Sequence, residues 1–168
     1  MRPRAQTQHD LRDCRATVTG TVTDLAALPE LVDTDLGATD WKTMTQERVD
    51  AFADVTEDHQ FIHVDPERAA QTPFGGTIAH GYLTLALVAP IMFELLSVSD
   101  AAMGVNYGLN RVRFPAPLRV GSDYRGTARM ITVEPIEGGV QGIVAVTIEV
   151  RDQPKPALVA ECVFRFYA

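Results

Sequence analysis

The sequence predicts an α+β fold in which an antiparallel sheet curls around a single buried helix. Three observations carry that prediction. From Gly81 to Leu96 the run GYLTLALVAPIMFELL is apolar nearly all round, with Glu94 its only charge, and a helix of that kind must be wrapped by other structure. After residue 102 the chain changes to a two-residue period, the signature of strands with one buried face. The length of 168 residues, without internal repeats or low-complexity tracts, suits one domain with its own core.

Taken in order, residues 1–20 read as a polar tail and residues 21–168 as the domain. The tail has several arginines but no apolar stretch or small-residue cleavage site of the kind a signal peptide needs. In TDLAALPELVD (23–33) the leucine spacing is helical, but Pro29 interrupts it, so a short helix or turn is expected. Trp41, Thr43 and Thr45 alternate in a short strand. Thr45 then caps a helix of about three turns, whose stripe is Val49, Phe52, Ala53 and Val55. Asp65, Pro66 and Glu67 start a brief helix, and PFGGT (73–77) is a loop. The long apolar helix follows, with Pro90 kinking it near the middle. Strand patterns then cover 104–114, 123–134, GVQGIVAVTIEV (139–150) and ALVAECVFRFY (157–167), and four consecutive strands at this spacing predict an antiparallel meander.

Composition narrows the function classes. The net charge of −7 argues against nucleic acid, which needs a basic face. The apolar run is shorter than the ~18 residues that argue for a membrane span. Two cysteines, Cys14 and Cys162, are too few for a disulfide framework, so the cytoplasm is the expected compartment. Charge is unevenly spread: residues 24–67 hold twelve acids against Lys42 and Arg48, whereas residues 101–129 hold Arg111, Arg113, Arg119, Arg125 and Arg129 against Asp123. The second region is one that could meet an anionic ligand.

The segment TEDHQFIHVD (56–65) carries the candidate chemistry. On a helix, Asp58 and His63 would lie about 500° apart and face different ways. An extended or looped backbone, anchored by Phe61 and Ile62, would aim both at one small molecule, most simply water, as a general acid/base pair. The same residues also fit a solvated acidic turn whose His63 caps nearby backbone. A metal site from His59, His63 and His80 is a third reading, but HQFIH lacks the glutamate of a metalloprotease helix and no fourth ligand is placed. Downstream, Gly81 opens the apolar helix. Its N–H lacks an intrahelical partner and its missing side chain admits a carbonyl, which is what an oxyanion hole requires, although tight helix packing explains a glycine equally well.

Several separated motifs occur together: Thr45-Gln46, Val49 and Phe52-Ala53, then DHQFIHVDPERA (58–69), PFGGTIAHG (73–81) and NYGLNRVRFPAP (106–117). In this order they resemble the MaoC-like dehydratases, the (R)-specific enoyl-CoA hydratase (hydratase 2) family of the hot-dog fold, over about residues 35–166. The resemblance implies a central helix wrapped by a five-stranded antiparallel sheet, a homodimer, an acyl tunnel beside the helix, and neither cofactor nor metal. It implies an acyl-CoA or acyl-carrier-protein thioester as substrate. Asp58 matches the family's base, His63 the residue that orients the water and delivers a proton to C2, and Gly81 the amide that binds the thioester oxygen. Gln60, Ile62, His80 and Tyr82 are the neighbouring candidate substrate contacts, with Arg111 and Arg113 for the phosphates of the carrier. The commoner motif, Gly-Asp-x-Asn-Pro-aliphatic-His, has Glu57 here in place of Gly, Gln60 in place of Asn and Phe61 in place of Pro. A hot-dog thioesterase and a non-catalytic acyl-thioester-binding protein are the alternative readings of the same fold.

Overall fold

The computed structural model describes residues 20–168. The polar tail expected over residues 1–20, with Cys14 in it, lies outside the described residues except for Gly20. Strand β1 (Thr21–Thr23) is followed by a 3-10 turn at Leu28–Leu31, which is all that Pro29 leaves of the leucine-spaced segment. Next come β2 (Asp35–Ala38), β3 (Lys42–Thr43) and helix α1 (Gln46–Thr56). The Thr45 side chain caps α1 by accepting from the Arg48 N–H at 3.4 Å. Val49 and Ala53 are buried on this helix and Phe52 packs against the core. Val55 is 79% exposed, because it lies about 240° round the helix from Val49 and so leaves the stripe expected for it.

Two one-turn helices, α2 (Phe61–Val64) and α3 (Pro66–Ala70), share Asp65, which ends the first and caps the second by accepting from the Arg68 N–H at 3.1 Å. The long apolar segment forms α4 (Gly81–Ala86) and α5 (Val88–Leu95), separated at Leu87. Pro90 explains the break: it has no N–H for the Ala86 carbonyl, and its ring crowds that turn. No helix among the described residues is long and apolar enough to cross a membrane.

The remaining strands are β4 (Leu96–Val98), β5 (Met103–Arg113), β6 (Asp123–Ile136), β7 (Gly139–Val150) and β8 (Leu158–Tyr167). The main sheet runs β2-β6-β7-β8-β5, and β3 also pairs with β6. Strands β2 and β3 pair with successive stretches of the same β6 edge, so the sheet is five positions wide and six strands in all. Strands β6, β7 and β8 form the expected meander, but β5 pairs with β8 and not with β6. The nine residues between β5 and β6 are too long and proline-rich for a hairpin. They cross instead beneath the start of α4, where Ala79 N–H donates to the Leu118 carbonyl at 2.8 Å and Val120 N–H to the Thr77 carbonyl at 3.0 Å.

The sheet wraps the helix as predicted. Leu83, Leu87, Val88, Ile91, Met92 and Leu95 of α4 and α5 are buried in one cluster with residues such as Met130, Val144, Val146, Ile148, Leu158 and Cys162 of β6, β7 and β8. The arrangement is the hot-dog fold. Glu94, the helix's lone charge, pairs with Lys42 of β3. Gly126 of β6 lets α5 pack this closely on the sheet, since a Cβ there would overlap the Ile91 side chain.

Candidate active site

The site is assembled by a change of direction after α1. Glu57 ends that helix in the left-handed conformation, with φ 62° and ψ 17°. The chain then runs through Asp58, His59 and Gln60 without regular structure before the single turn of α2 carries His63 inward. Asp58 is exposed, while His63 and His80 are buried at 6% and 2% exposure. A carboxylate oxygen of Asp58 and one ring nitrogen each of His63 and His80 all lie within 4.8 Å of one another. Two hydrogen bonds of about 2.8 Å to one water meet at roughly 120° or less over such a span, so a single water can bridge Asp58 and His63.

Backbone carbonyls fix the state of both rings. Nδ1 of His63 lies 2.7 Å from the Ile78 carbonyl oxygen, and Nε2 of His80 lies 2.9 Å from the Asp58 carbonyl oxygen. A carbonyl only accepts, so these nitrogens carry the protons. In the neutral rings that leaves a lone pair on Nε2 of His63 and on Nδ1 of His80. Burial holds His63 below the ordinary histidine value; the bond to Ile78 opposes this, the neighbouring His80 adds to it and Asp58 opposes it. His63 is therefore neutral near pH 7 and presents an acceptor.

Gln46, the first residue of α1, locks the segment in place. Its Nε2 donates to the His63 carbonyl and to Asp50, both at 2.7 Å, and its Oε1 accepts from the Thr77 hydroxyl at 2.6 Å. The Ile78 N–H donates to the Ile62 carbonyl at 3.0 Å, which ties the same two stretches together again. Gly81 is exposed at the start of α4, and its N–H donates to no acceptor among the described residues. A cavity of about 290 Å³ opens beside it, lined by Ile78, Thr84, Phe114, Leu118 and Ala157 among others. A second cavity, of about 240 Å³, runs between α4/α5 and β5/β8 and is lined by Leu85, Ala89, Leu109, Cys162 and Phe164.

Residues 28–151 match the MaoC-like domain. The chain belongs to that family. It is 51% identical over 148 residues to 3-hydroxyacyl-thioester dehydratase Z of Mycobacterium tuberculosis, covering 88% of this chain and 96% of that one. It is 46% identical over 141 residues to nodulation protein N of Rhizobium leguminosarum, covering 81% and 86%. An R-hydratase from Pseudomonas aeruginosa superposes with a TM-score of 0.66 at 21% identity over 81% of both chains, a likeness of fold.

This MaoC-like chain brings together some of the residues expected at its site and leaves others apart. Asp58, His63 and His80 converge. His59 does not join them, being turned to Asp54 of α1 at 2.9 Å, which raises its pKa. Asp58, His63 and His80 could each offer a metal one atom, but the two rings stack with centroids 3.7 Å apart and 26° between planes. An ion in the plane of one ring would sit well out of the plane of the other, which suits water better than a cation. Phe61 and Ile62 are only half-buried; Phe61 lies under the Arg68 guanidinium at 4.3 Å, and it is His63 that enters the interior. Gln60 is exposed and Tyr82 is 76% exposed. Arg111 reaches Glu161 at 3.5 Å, and Arg113 donates to the Val112 carbonyl at 2.7 Å, one residue before the Phe114 ring that borders Gly81. Gln46 and Thr77 fall within the motifs that carry the family resemblance but had no site role from sequence, since an amide opening a helix and a threonine in a loop carry no signal of what they hold.

Proposed function

We propose that this MaoC-like protein is a hydro-lyase that reversibly hydrates trans-2-enoyl thioesters to (R)-3-hydroxyacyl thioesters. One observation carries the reading: a carboxylate and a neutral buried imidazole come within 4.8 Å of each other, a span that one water can bridge, and the helix that follows opens on an amide with no acceptor among the described residues. The water gives one hydrogen bond to Asp58 and one to Nε2 of His63, which leaves its oxygen lone pair for C3. As that bond forms, charge moves onto the thioester oxygen, where the Gly81 N–H lowers the barrier by roughly 3–4 kcal/mol. The water's proton passes through the pair to C2 on the same face. Because Nε2 of His63 starts as a lone pair, His63 can deliver only a proton that it has first accepted.

The acyl chain lies in the apolar cavity beside the helix. Arg113, next to Phe114 at the Gly81 cavity, meets the phosphates of a CoA or acyl-carrier-protein arm, while Arg111 is already engaged by Glu161. Residues 21–168 act as one domain, and the enzyme works in the cytoplasm as a homodimer. Support for the dimer comes from exposed large hydrophobic side chains, Tyr82 and Phe93 on α4 and α5 and Tyr107 and Leu109 on β5, the last of which lines the groove between these elements. Size-exclusion chromatography with light scattering should give twice the chain mass; a monomer at micromolar concentration refutes the assembly.

The decisive assay follows the absorbance of the conjugated thioester in crotonyl-CoA. Hydration removes that absorbance without releasing free thiol, which separates the reaction from thioester hydrolysis. Asp58→Asn and His63→Ala should each lower the rate by about 10²- to 10⁴-fold; undiminished activity in both variants defeats the mechanism.

A further inference from the structure

We propose that His80 is the positioning residue of the catalytic pair: it pins the Asp58 loop through the Asp58 carbonyl and backs the His63 ring, so that both groups keep one target. This goes beyond the hydratase reading but rests on it. The expectation that His80 touches substrate does not suit its surroundings. Its Nε2–H is spent on the Asp58 carbonyl at 2.9 Å, and its Nδ1 is buried, out of reach of solvent and without a partner. One nitrogen is thus spent on the protein's own backbone and the other is enclosed within the fold.

What His80 does touch is the machinery on both sides. No other hydrogen bond of Asp58 is seen among the described residues, so this contact, across 22 positions of sequence, is the one that holds Asp58 itself, while the neighbouring His59 is tied to Asp54 of α1. The same ring lies 3.7 Å from the His63 ring, with Phe52 packed against it at 5.0 Å. Being the residue that precedes Gly81, His80 also ties the oxyanion amide to the pair: one side chain at the start of α4 sets the distance from donor to base. A buried imidazole with one unpaired nitrogen is a costly choice for packing alone. A donor at Nε2 and a flat face for His63 are what the position supplies.

Two variants divide these roles. His80→Phe keeps a ring for His63 to stack on but loses the donor, whereas His80→Gln keeps an N–H that can reach the carbonyl and loses the ring. With crotonyl-CoA, His80→Phe should lower kcat by about 10- to 100-fold while KM stays within about threefold. His80→Gln should recover kcat to within about fivefold of wild type. In histidine-labelled protein, with the His63 resonance assigned by its loss in His63→Ala, the NMR titration of His63 should move to higher pH in both variants, because a second protonatable ring no longer faces it. Wild-type kcat with an unmoved His63 titration in His80→Phe overturns the proposal, as does a Gln variant no more active than the Phe variant. Should His80→Phe fail to fold, the kcat and titration of His80→Gln decide alone. If the wild-type protein hydrates no enoyl thioester, the hydratase reading fails, and the titration still decides whether His80 backs His63.

Discussion

Replacing Gly81 by alanine separates folding from catalysis at the position where the two explanations of that glycine compete. Its φ is not in the left-handed region, so alanine meets no backbone strain there. An added Cβ would stand 3.4, 3.5 and 3.6 Å from Cε2, Cζ and Cδ2 of Phe114, which is ordinary van der Waals contact. Alanine is also the better helix former, by up to about 1 kcal/mol in a helix interior and less at the first turn. The variant should therefore melt at or slightly above the wild-type temperature, within the roughly 2–4 °C that 1 kcal/mol represents for a chain of this size. Catalysis should respond differently. The methyl enters the cavity lined by Gly81 and Phe114, where the thioester oxygen has to come within about 3 Å of the amide. If it keeps the oxygen away, the loss approaches the full value of an oxyanion donor, about 10²- to 10³-fold in kcat. Crotonyl-CoA hydration and a thermal melt on the same preparation measure both sides. A variant that keeps more than half the wild-type rate with an unchanged melt shows that the amide does not bind the thioester oxygen. A variant that loses rate and melts well below wild type shows instead that the glycine serves packing.

Three further outcomes follow from particular contacts. His63 is held below its ordinary value of ~6.5 by burial, so the unfolded chain binds more protons than the folded one as pH falls through that value; stability should be flat above it and decline below it, kcat/KM should decline only at the lower pH where the folded His63 protonates, and a rate that rises on acidification would contradict a neutral His63. Gln46→Ala leaves the His63 carbonyl and the Thr77 hydroxyl without their partner, which should cost about 2–3 kcal/mol in urea denaturation and lower kcat; an unchanged midpoint would mean that the three short bonds are replaceable by water. Glu57→Gly removes a non-glycine side chain from the left-handed region and should stabilise the fold by about 0.5–1 kcal/mol after the entropy of glycine is set against the relief of strain, with activity retained; a destabilised variant would show that the Glu57 side chain contributes more than its backbone costs.

The parts of the fold legible in the sequence were those where one physical requirement dominates over many residues. A helix apolar on every side has to be enclosed, and Val140 through Val150 alternate too regularly to be anything but a strand. Pairing order was not legible in the same way. Whether β5 sits beside β6 or β8 depends on how nine connecting residues cross the end of the sheet, and that crossing is fixed by backbone bonds from Ala79 and Val120 to partners 39 and 43 positions away in the chain. The Asp58–His63 pair shows both limits. Spacing excluded a continuous helix through Asp58 and His63, and the structure satisfies the exclusion without making the whole segment a loop: His63 does sit in a helical turn, but the turn begins only after the left-handed Glu57 has broken the axis of α1. The commoner motif places glycine where that reversal falls, so the substitution at Glu57 marked the hinge while concealing that the hinge was still used. His80 illustrates the other limit. A histidine next to a glycine at a helix start reads as a ligand-facing group, and only three-dimensional contacts reveal that its Nε2 is turned to the Asp58 carbonyl and its ring face to His63. Local pattern thus locates the candidate chemistry, whereas what holds it in register comes from distant residues, Gln46, Thr77 and His80, whose presence in a motif does not say what they hold.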